Sequence, residues 1–521
     1  MNDSNSSMPP SRQLRYQKQC RDNWKENAAK KQETIREYVQ LTRSLKKSRD
    51  SWKAKAKHAE QRVKELEKQL AQFSPHNPED SSSSSEDSSS SKEPEDISDR
   101  IPHHHYTIPT ISIAVQQIIE VGHSYRGTAK TMELFSSFFS LDTPHYSSLK
   151  SWVERIGLYE LQRPKETRND WLYLIDLTLE LGNSKALVIY GIPQTFWLTN
   201  ILPHKRALKP TDGQILALEV TTQATGDWIH SVLESVAQKV GTPLQIISDH
   251  ASNLRKGIQL FQSSHPHLIS TYDVTHALAN LLKKELFSND IFSAFLSDCH
   301  HCRLQVQQTE LAFASPPSQR TQCRFFNLDR LLNWATHLLR SDFSLFSQLL
   351  PHYDQSWLFN RFLDKFSWLF SYQESIPFWS SLLKITRTLE KQLKTHGLNS
   401  SSSSLFQKHL SSLNLPSSLN PFKDKVFHYL ETEASLASPH TLLATSDVLE
   451  SLFGRYKHFS QRCPVQELRS LLLTIPLSTI NFSPQLIRDA LTTVRSSDLS
   501  QWVHNTFGQS LLSKRKILFS S

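Results

Sequence analysis

Residues 171–181 read WLYLIDLTLEL, and the hydrophobic period changes there. Two further strand-like runs follow after short breaks, KALVIYGI at 185–192 and QILALEVT at 214–221. Runs of this length, rich in β-branched and aliphatic residues and bounded by turn formers, predict β-strands. Asp227–Lys239 has a helical period. PLQIISD at 243–249 predicts a fourth strand, HASNLRKGIQLFQSS at 250–264 a second helix, and HLISTYD at 267–273 a short fifth strand. The expected order over 168–276 is therefore strand, strand, strand, helix, strand, helix, strand.

Upstream, residues 106–161 predict three short helices. Ile111–Val121 is apolar at 111, 114, 115, 118 and 119 and ends at Gly122; the second runs from Tyr125 or Arg126 to Phe138. The third, Ser147–Leu158, follows the start signal Asp142-Thr143-Pro144. Together they predict a helix-turn-helix. Its third helix would turn Tyr146, Ser147, Ser148, Lys150 and Arg155 toward DNA and pack Leu149, Trp152, Val153 and Ile156 inward. An ordinary small helical bundle is the plainer alternative. Residues 74–105 form a linker of Ser, Pro and acid with almost nothing to bury, for which disorder is expected.

Over 12–73, apolar residues recur in alternating steps of four and three, among them Trp24, Ala28, Ile35, Tyr38, Leu45, Trp52, Val63, Leu66 and Leu70. That period predicts a coiled coil, with Lys31, Thr42 and Arg49 as polar interruptions of the seam. Arg12 through Lys68 holds 18 Lys and Arg against 8 Asp and Glu, a net +10, while the whole chain of 521 residues carries +9. The basic excess is this one segment. It suits a polyanion, nucleic acid being the commonest, and a coil there implies a homo-oligomer.

Downstream, 277–445 loses the strand signal, and helical runs such as FNLDRLLNWATHLLR and PFWSSLLKITRTLEKQLKTH dominate. Helices continue through 446–521. Five cysteines in a chain this long make no disulfide framework and suggest a reducing compartment. No run of 18 apolar residues predicts a membrane span, and the N-terminus has no signal-peptide core. The expectation is a soluble intracellular protein, nucleoid-associated in a bacterium or nuclear in a eukaryote. With 12 glycines and no Gly-rich phosphate loop, the sequence does not point to an NTPase. Cys299-His300-His301-Cys302 has a metal-like spacing, but no second pair completes a zinc site.

Three carboxylates stand out. Asp176 lies inside the first strand among Leu174, Ile175 and Leu177, where an ionised group is costly without a counter-ion. Asp249 ends the fourth strand. A third acid has to come from a helix beyond the sheet, and Glu450 in SDVLESLFGRYKHF is the best placed. Ser446 can cap that helix, Leu449, Leu452, Phe453 and Tyr456 form its buried face, and an acid near the N-terminus is favoured by the helix dipole. Glu431 and Glu433 are the alternatives. Two divalent ions held by such carboxylates can activate an attacking oxygen and stabilise a leaving one.

These features resemble the DDE transposases of insertion sequences, over roughly 170–290 and 440–480. The resemblance implies an α/β RNase H-like catalytic core, 168–276 and 446–521, interrupted by an all-α insertion, 277–445. Asp273-Val274-Thr275-His276 resembles the (Cys/Asp)-x-x-His motif that precedes the insertion in hAT-like and allied members. Glu450 and Lys457 have the Glu-x6-Lys spacing of the Tyr-Arg-Glu-Lys signature. That signature would have Arg at 446 and Tyr at 443, where this chain has Ser446 and Leu443, so no subfamily is assigned. By the resemblance, Asp176, Asp249 and Glu450 bind two Mg²⁺ or Mn²⁺ ions, and Asp273 and His276 support the site. Lys457 and Arg455 would hold the phosphate backbone; Arg255 and Lys256, on the helix after Asp249, are placed to touch DNA. Trp357, Trp368 and Trp379 could stack on an unpaired base. The expected function is DNA strand cleavage and strand transfer at transposon ends. A non-catalytic regulator descended from a transposase and a structure-specific nuclease are the alternatives.

Overall fold

The computed structural model describes residues 100–138, 142–181, 184–288, 290–318, 328–460 and 469–519. The expected coiled coil at 12–73, and the linker as far as residue 99, lie outside these residues.

Three helices come first: α1 (Ile108–Ile119), α2 (Tyr125–Ser136) and α3 (Tyr146–Gln162). Side-chain caps set their starts, the Thr107 hydroxyl accepting from Thr110 N and the Ser124 hydroxyl from Gly127 N at 3.0 Å. The sheet and its helices follow as β1 (Trp171–Leu181), β2 (Ser184–Pro193), α4 (Gln194–Asn200), β3 (Gln214–Thr221), α5 (Gly226–Val240), β4 (Gln245–Ser248), α6 (Ser252–Ser264) and β5 (Ile269–Tyr272). The strands, and the helices between β3 and β5, follow the order expected from the sequence; α4, between β2 and β3, was not expected. Next come α7 (Val274–Leu286), α8 (Asp290–Val306), α9 (Leu328–Arg340), α10 (Phe343–Leu349), α11 (Gln355–Phe366), α12 (Ser375–His396), α13 (Ser402–Ser411), α14 (Asn420–Ala437) and α15 (Asp447–Ser460). The chain ends in α16 (Thr474–Leu477), α17 (Pro484–Thr493), α18 (Ser496–Phe507) and α19 (Leu511–Phe519).

The protein is thus a mixed α/β fold: one five-stranded sheet with many helices, its strands in the order β3-β2-β1-β4-β5. β3, β2 and β1 are antiparallel, whereas β1, β4 and β5 run parallel. Strand alternation divides β1 between two cores. Tyr173 and Ile175 face α5 and α6, packing with Ile229, Leu233, Leu254 and Phe261. Leu172 and Leu174 face the other way, with Val188 and Ile247, into a larger core shared with α7, α12 and α15. That core runs without a break from the sheet into the helices of 274–460.

Of the last helices, α16 touches β3 and puts Ile475 into the large core. α16, α17 and α18 lie against α3, and α17 also against α1. Ile487, Ala490 and Leu491 of α17 complete the apolar core of α1–α3 with Ile111, Trp152 and Ile156. Gly157 lets the chains approach closely: a Cβ there would lie 2.3 Å from the Leu473 carbonyl oxygen. Among the described residues no helix is long and apolar enough to cross a membrane.

Candidate functional site

β1 and β4 pair in parallel as Leu172–Gln245, Tyr173–Ile246 and Leu174–Ile247, an offset of 73 residues (245 − 172). Carried two positions further, the same offset sets Asp249 level with Asp176. Neighbouring strands lie about 4.8 Å apart, so Asp176, inside β1, and Asp249, one residue past the end of β4, belong to adjacent strands. Asp176 also pairs with Val188. Alternation puts it on the face of Leu172, Leu174 and Val188, the face that α15 covers. It is buried, at 5% exposure. Asp249 is half-buried just past β4, where one carboxylate oxygen accepts Ala251 N at 3.0 Å.

Glu450 sits in the first turn of α15, a helix that packs against β1. Leu449, Leu452, Phe453 and Tyr456 are buried, and Glu450 is exposed. Carboxylates are the hard oxygen donors that Mg²⁺ and Mn²⁺ take, so Asp176 and Asp249 suit such an ion as a pair. Among the described residues, however, no group of three His, Cys, Asp or Glu side chains is disposed to hold a metal. The β1–β4 register thus runs toward the two aspartates, and among the described residues Glu450 belongs to no three-ligand cluster.

Asp273 joins three elements beside this pair. Its backbone N–H donates to Ser248 O at 3.0 Å. Its fully buried carboxylate caps α7 by accepting His276 N at 2.8 Å, and it accepts Ser446 N at 2.5 Å and Ser446 Oγ at 2.7 Å. Val274 N donates to Ala444 O at 2.9 Å. The end of β5, the start of α7 and the entry to α15 are thus tied at one carboxylate. His276 Nδ1 lies 3.4 Å from Asp273 Oδ1.

Two neighbours, His250 and Tyr272, are not evident from sequence pattern, and a third, Glu433, is one of the two alternative acids. His250 has a positive φ of 56°, a costly conformation for a residue with a Cβ, and its ring stacks on Tyr272 at 4.4 Å. Burial and the Arg255 charge hold its pKa below the usual histidine value, opposed by Asp249. The Tyr272 hydroxyl oxygen accepts Asn280 Nδ2 at 2.7 Å. Glu433, on α14, accepts Tyr272 N at 2.9 Å.

Burial pushes the Glu433 carboxyl up to about 7, with the Tyr272 N–H opposing the rise. A carboxyl whose folded pKa is raised binds its proton more tightly than the unfolded chain does. Its contribution to stability is complete below the ordinary value of 4.5 and gone above about 7. Wild type should lose on the order of 3 kcal/mol over that window relative to Glu433→Gln, which stays neutral throughout. Paired thermal melts between pH 4.5 and 8 check this: parallel curves for the two proteins would refute it.

The other expected contacts fall out as follows. Tyr146, Ser147 and Lys150 are exposed on α3, and Leu149, Trp152, Val153 and Ile156 are buried. Arg155 is engaged within the protein, donating to Val494 O and Leu491 O at 2.6 Å each. Its guanidinium satisfies carbonyls at the end of α17, a use the local helical pattern of α3 does not reveal. Arg255 and Lys256 are exposed on α6, Lys256 at 3.1 Å from Asp227. Lys457 is exposed and Arg455 half-buried on α15. Trp379 is buried against Phe292 and Phe295, Trp368 stacks on Trp334, and Trp357 is 44% exposed beside Tyr353. Cys299 and Cys302 are buried thiols whose pKa values burial raises, Cys302 up to about 11, which disfavours the thiolate that zinc requires.

Compared with models of known families the chain matches none, and it matches no curated protein.

Proposed function

We propose that the chain is a transposase of the DDE type, cutting and joining DNA with Asp176, Asp249 and Glu450 around divalent metal. The observation that carries this reading is the parallel pairing of β1 with β4, whose register, continued past Leu174–Ile247, would bring Asp176 and Asp249 level. It is supported by the sheet order β3-β2-β1-β4-β5, antiparallel on one side and parallel on the other, which is the order of an RNase H-like core. The helix carrying Glu450 lies over the same face. A long helical stretch separates that helix from the sheet in sequence, as an inserted domain does.

When bound, divalent metal supplies Lewis-acid stabilisation of the attacking and leaving oxygens. Asp176 and Asp249 would hold it, and Glu450 would complete the set. Asp273 positions the start of the Glu450 helix, with His276 beside it. Lys457, Arg455, Arg255 and Lys256 are proposed to hold backbone phosphates. DNA-end recognition is assigned to Tyr146, Ser147, Ser148 and Lys150 on α3. The test is strand cleavage and strand transfer, with Mg²⁺ or Mn²⁺, on DNA carrying the sequences that flank the coding region. Absence of both with either metal would overturn the reading.

The basic segment at 12–73 is proposed to pair protomers, so that two DNA ends meet in one complex. Removing residues 1–75 should then leave a smaller species in light scattering with the helical circular dichroism of the remainder intact; an unchanged mass would refute pairing through this segment.

A further inference from the structure

Beside the first turn of α15 lies a cleft of about 500 Å³, within the roughly 300–1,000 Å³ typical of ligand sites. Its walls are α12, the segment after α4, and α15 as far as Ser451, the neighbour of Glu450. Five lining side chains are cationic, Lys205, Arg206, Arg387, Lys391 and Lys394, and two are acidic, Glu390 and Asp447.

The acids are already engaged. Glu390 bonds Arg387 and Lys394 at 2.6 Å each, and Lys394 reaches Asp447 at 2.5 Å. This ladder fixes α12 against α15. Arg206 pairs with Asp212 at 2.6 Å. Lys205 and Lys391 are exposed and make no ion pair among the described residues. Lys205 is held at a φ of 50°, a conformation that costs a non-glycine residue on the order of 1–3 kcal/mol and marks functional positions more often than chance. The floor is apolar, formed by Trp197, Leu208, Leu443 and Val448. Two free ammonium groups above such a floor suit a ligand with an anionic edge and a less polar body.

We propose that this cleft seats a backbone phosphate of the DNA strand, Lys205 and Lys391 binding the phosphate and the apolar floor taking the attached sugar or base. The strand leaving the carboxylate pair would then be gripped jointly by the helical region and the Glu450 helix. The choice of DNA over another anion rests on the function proposed above; the cationic rim does not.

The experiment is fluorescence anisotropy of the full chain with a short labelled single-stranded oligonucleotide in EDTA, across a salt series. The variants are Lys205→Glu/Lys391→Glu and Lys205→Met/Lys391→Met, with Lys384→Glu/Lys408→Glu as a control of equal charge change outside the cleft. The glutamate pair should weaken binding about tenfold, two exposed ion contacts' worth. The methionine pair should lower the log–log salt slope by about 0.7, the one phosphate that the two lysines share, at about 0.7 per phosphate for a single strand. The control should change neither by as much as half. Equal losses in cleft and control variants, or none in either, overturn the proposal, as does polyglutamate competing as well as the oligonucleotide. No catalysis is required, so the outcomes separate. A chain that binds through the cleft yet never cleaves removes the transposase reading alone, and one that cleaves while cleft and control variants bind alike removes the cleft alone.

Discussion

Replacing Asp176 by Asn should lower metal-dependent strand cleavage by at least about 10³-fold, because a carboxylate that holds the ion is worth several kcal/mol of transition-state stabilisation and each 1.36 kcal/mol is tenfold. The substitution is isosteric. Asp176 is buried on the sheet face between Leu174 and α15, where a negative charge is paid in desolvation and neutral Asn is not. The variant should therefore melt no lower than wild type to within a few degrees, and this pairing of a lost activity with a kept fold distinguishes a ligand from a structural residue. Asp249→Asn should behave alike, since its side chain is half-buried and its one backbone contact, Ala251 N, can be accepted by the amide oxygen. Paramagnetic broadening by Mn²⁺ gives a readout independent of turnover: either variant should lose tight Mn²⁺ binding. Cleavage within tenfold of wild type in Asp176→Asn would remove this carboxylate from the mechanism. Glu450→Gln and Glu433→Gln then decide the third position. The reading places the larger loss at Glu450, and a larger loss at Glu433 would transfer the role to the buried acid beside Tyr272.

The sheet was legible because its signal is local. Alternating Leu172, Leu174 and Tyr173, Ile175 need both faces covered, and turn formers bracket each run; which strands are neighbours is not written in that pattern, and β1 beside β4 is seen only in the fold. The buried face of the Glu450 helix was equally legible from the spacing of Leu449, Leu452, Phe453 and Tyr456. What escaped depends on partners far along the chain. Arg155 has the look of a surface cation on a recognition helix until its acceptors, over 330 residues away, are known. α17 has an amphipathic pattern that says it packs but not on what, and it completes the α1–α3 core. His250 carries no sequence mark of its positive φ, since histidine is not a turn residue by composition. Glu433 was one of two rival acids on a helix; only burial and the Tyr272 N–H separate it from Glu431. Asp273 was visible as part of a short motif, whereas the reason for an acid there lies 173 residues downstream at Ser446.

That separation makes Asp273→Ala the substitution with the largest expected effect on stability. The carboxylate is fully buried and takes three donors, His276 N, Ser446 N and Ser446 Oγ. Alanine removes the acceptor and leaves two backbone N–H groups without one in a closed space. Hydrogen bonds to a charged group contribute about 1.5–3 kcal/mol each, and a stranded donor adds its own desolvation cost, so a loss of roughly 3–5 kcal/mol is expected. Against a total stability of about 5–15 kcal/mol this is a shift readily seen in the urea midpoint. Asp273→Asn is the more informative change. Its amide keeps one oxygen for His276 N or for Ser446, but turns an NH₂ toward the remaining donor, so it should retain part of the stability while loosening one of the two joints. If the joint lost is the one at Ser446, the start of α15 is released, and strand cleavage should fall further than stability does, with the deficit in the turnover number rather than in DNA affinity. A urea midpoint for Asp273→Ala within about 1 kcal/mol of wild type would mean that this carboxylate does not hold α15 to the sheet, since the alternative partners for Ser446 N would then have to be as good.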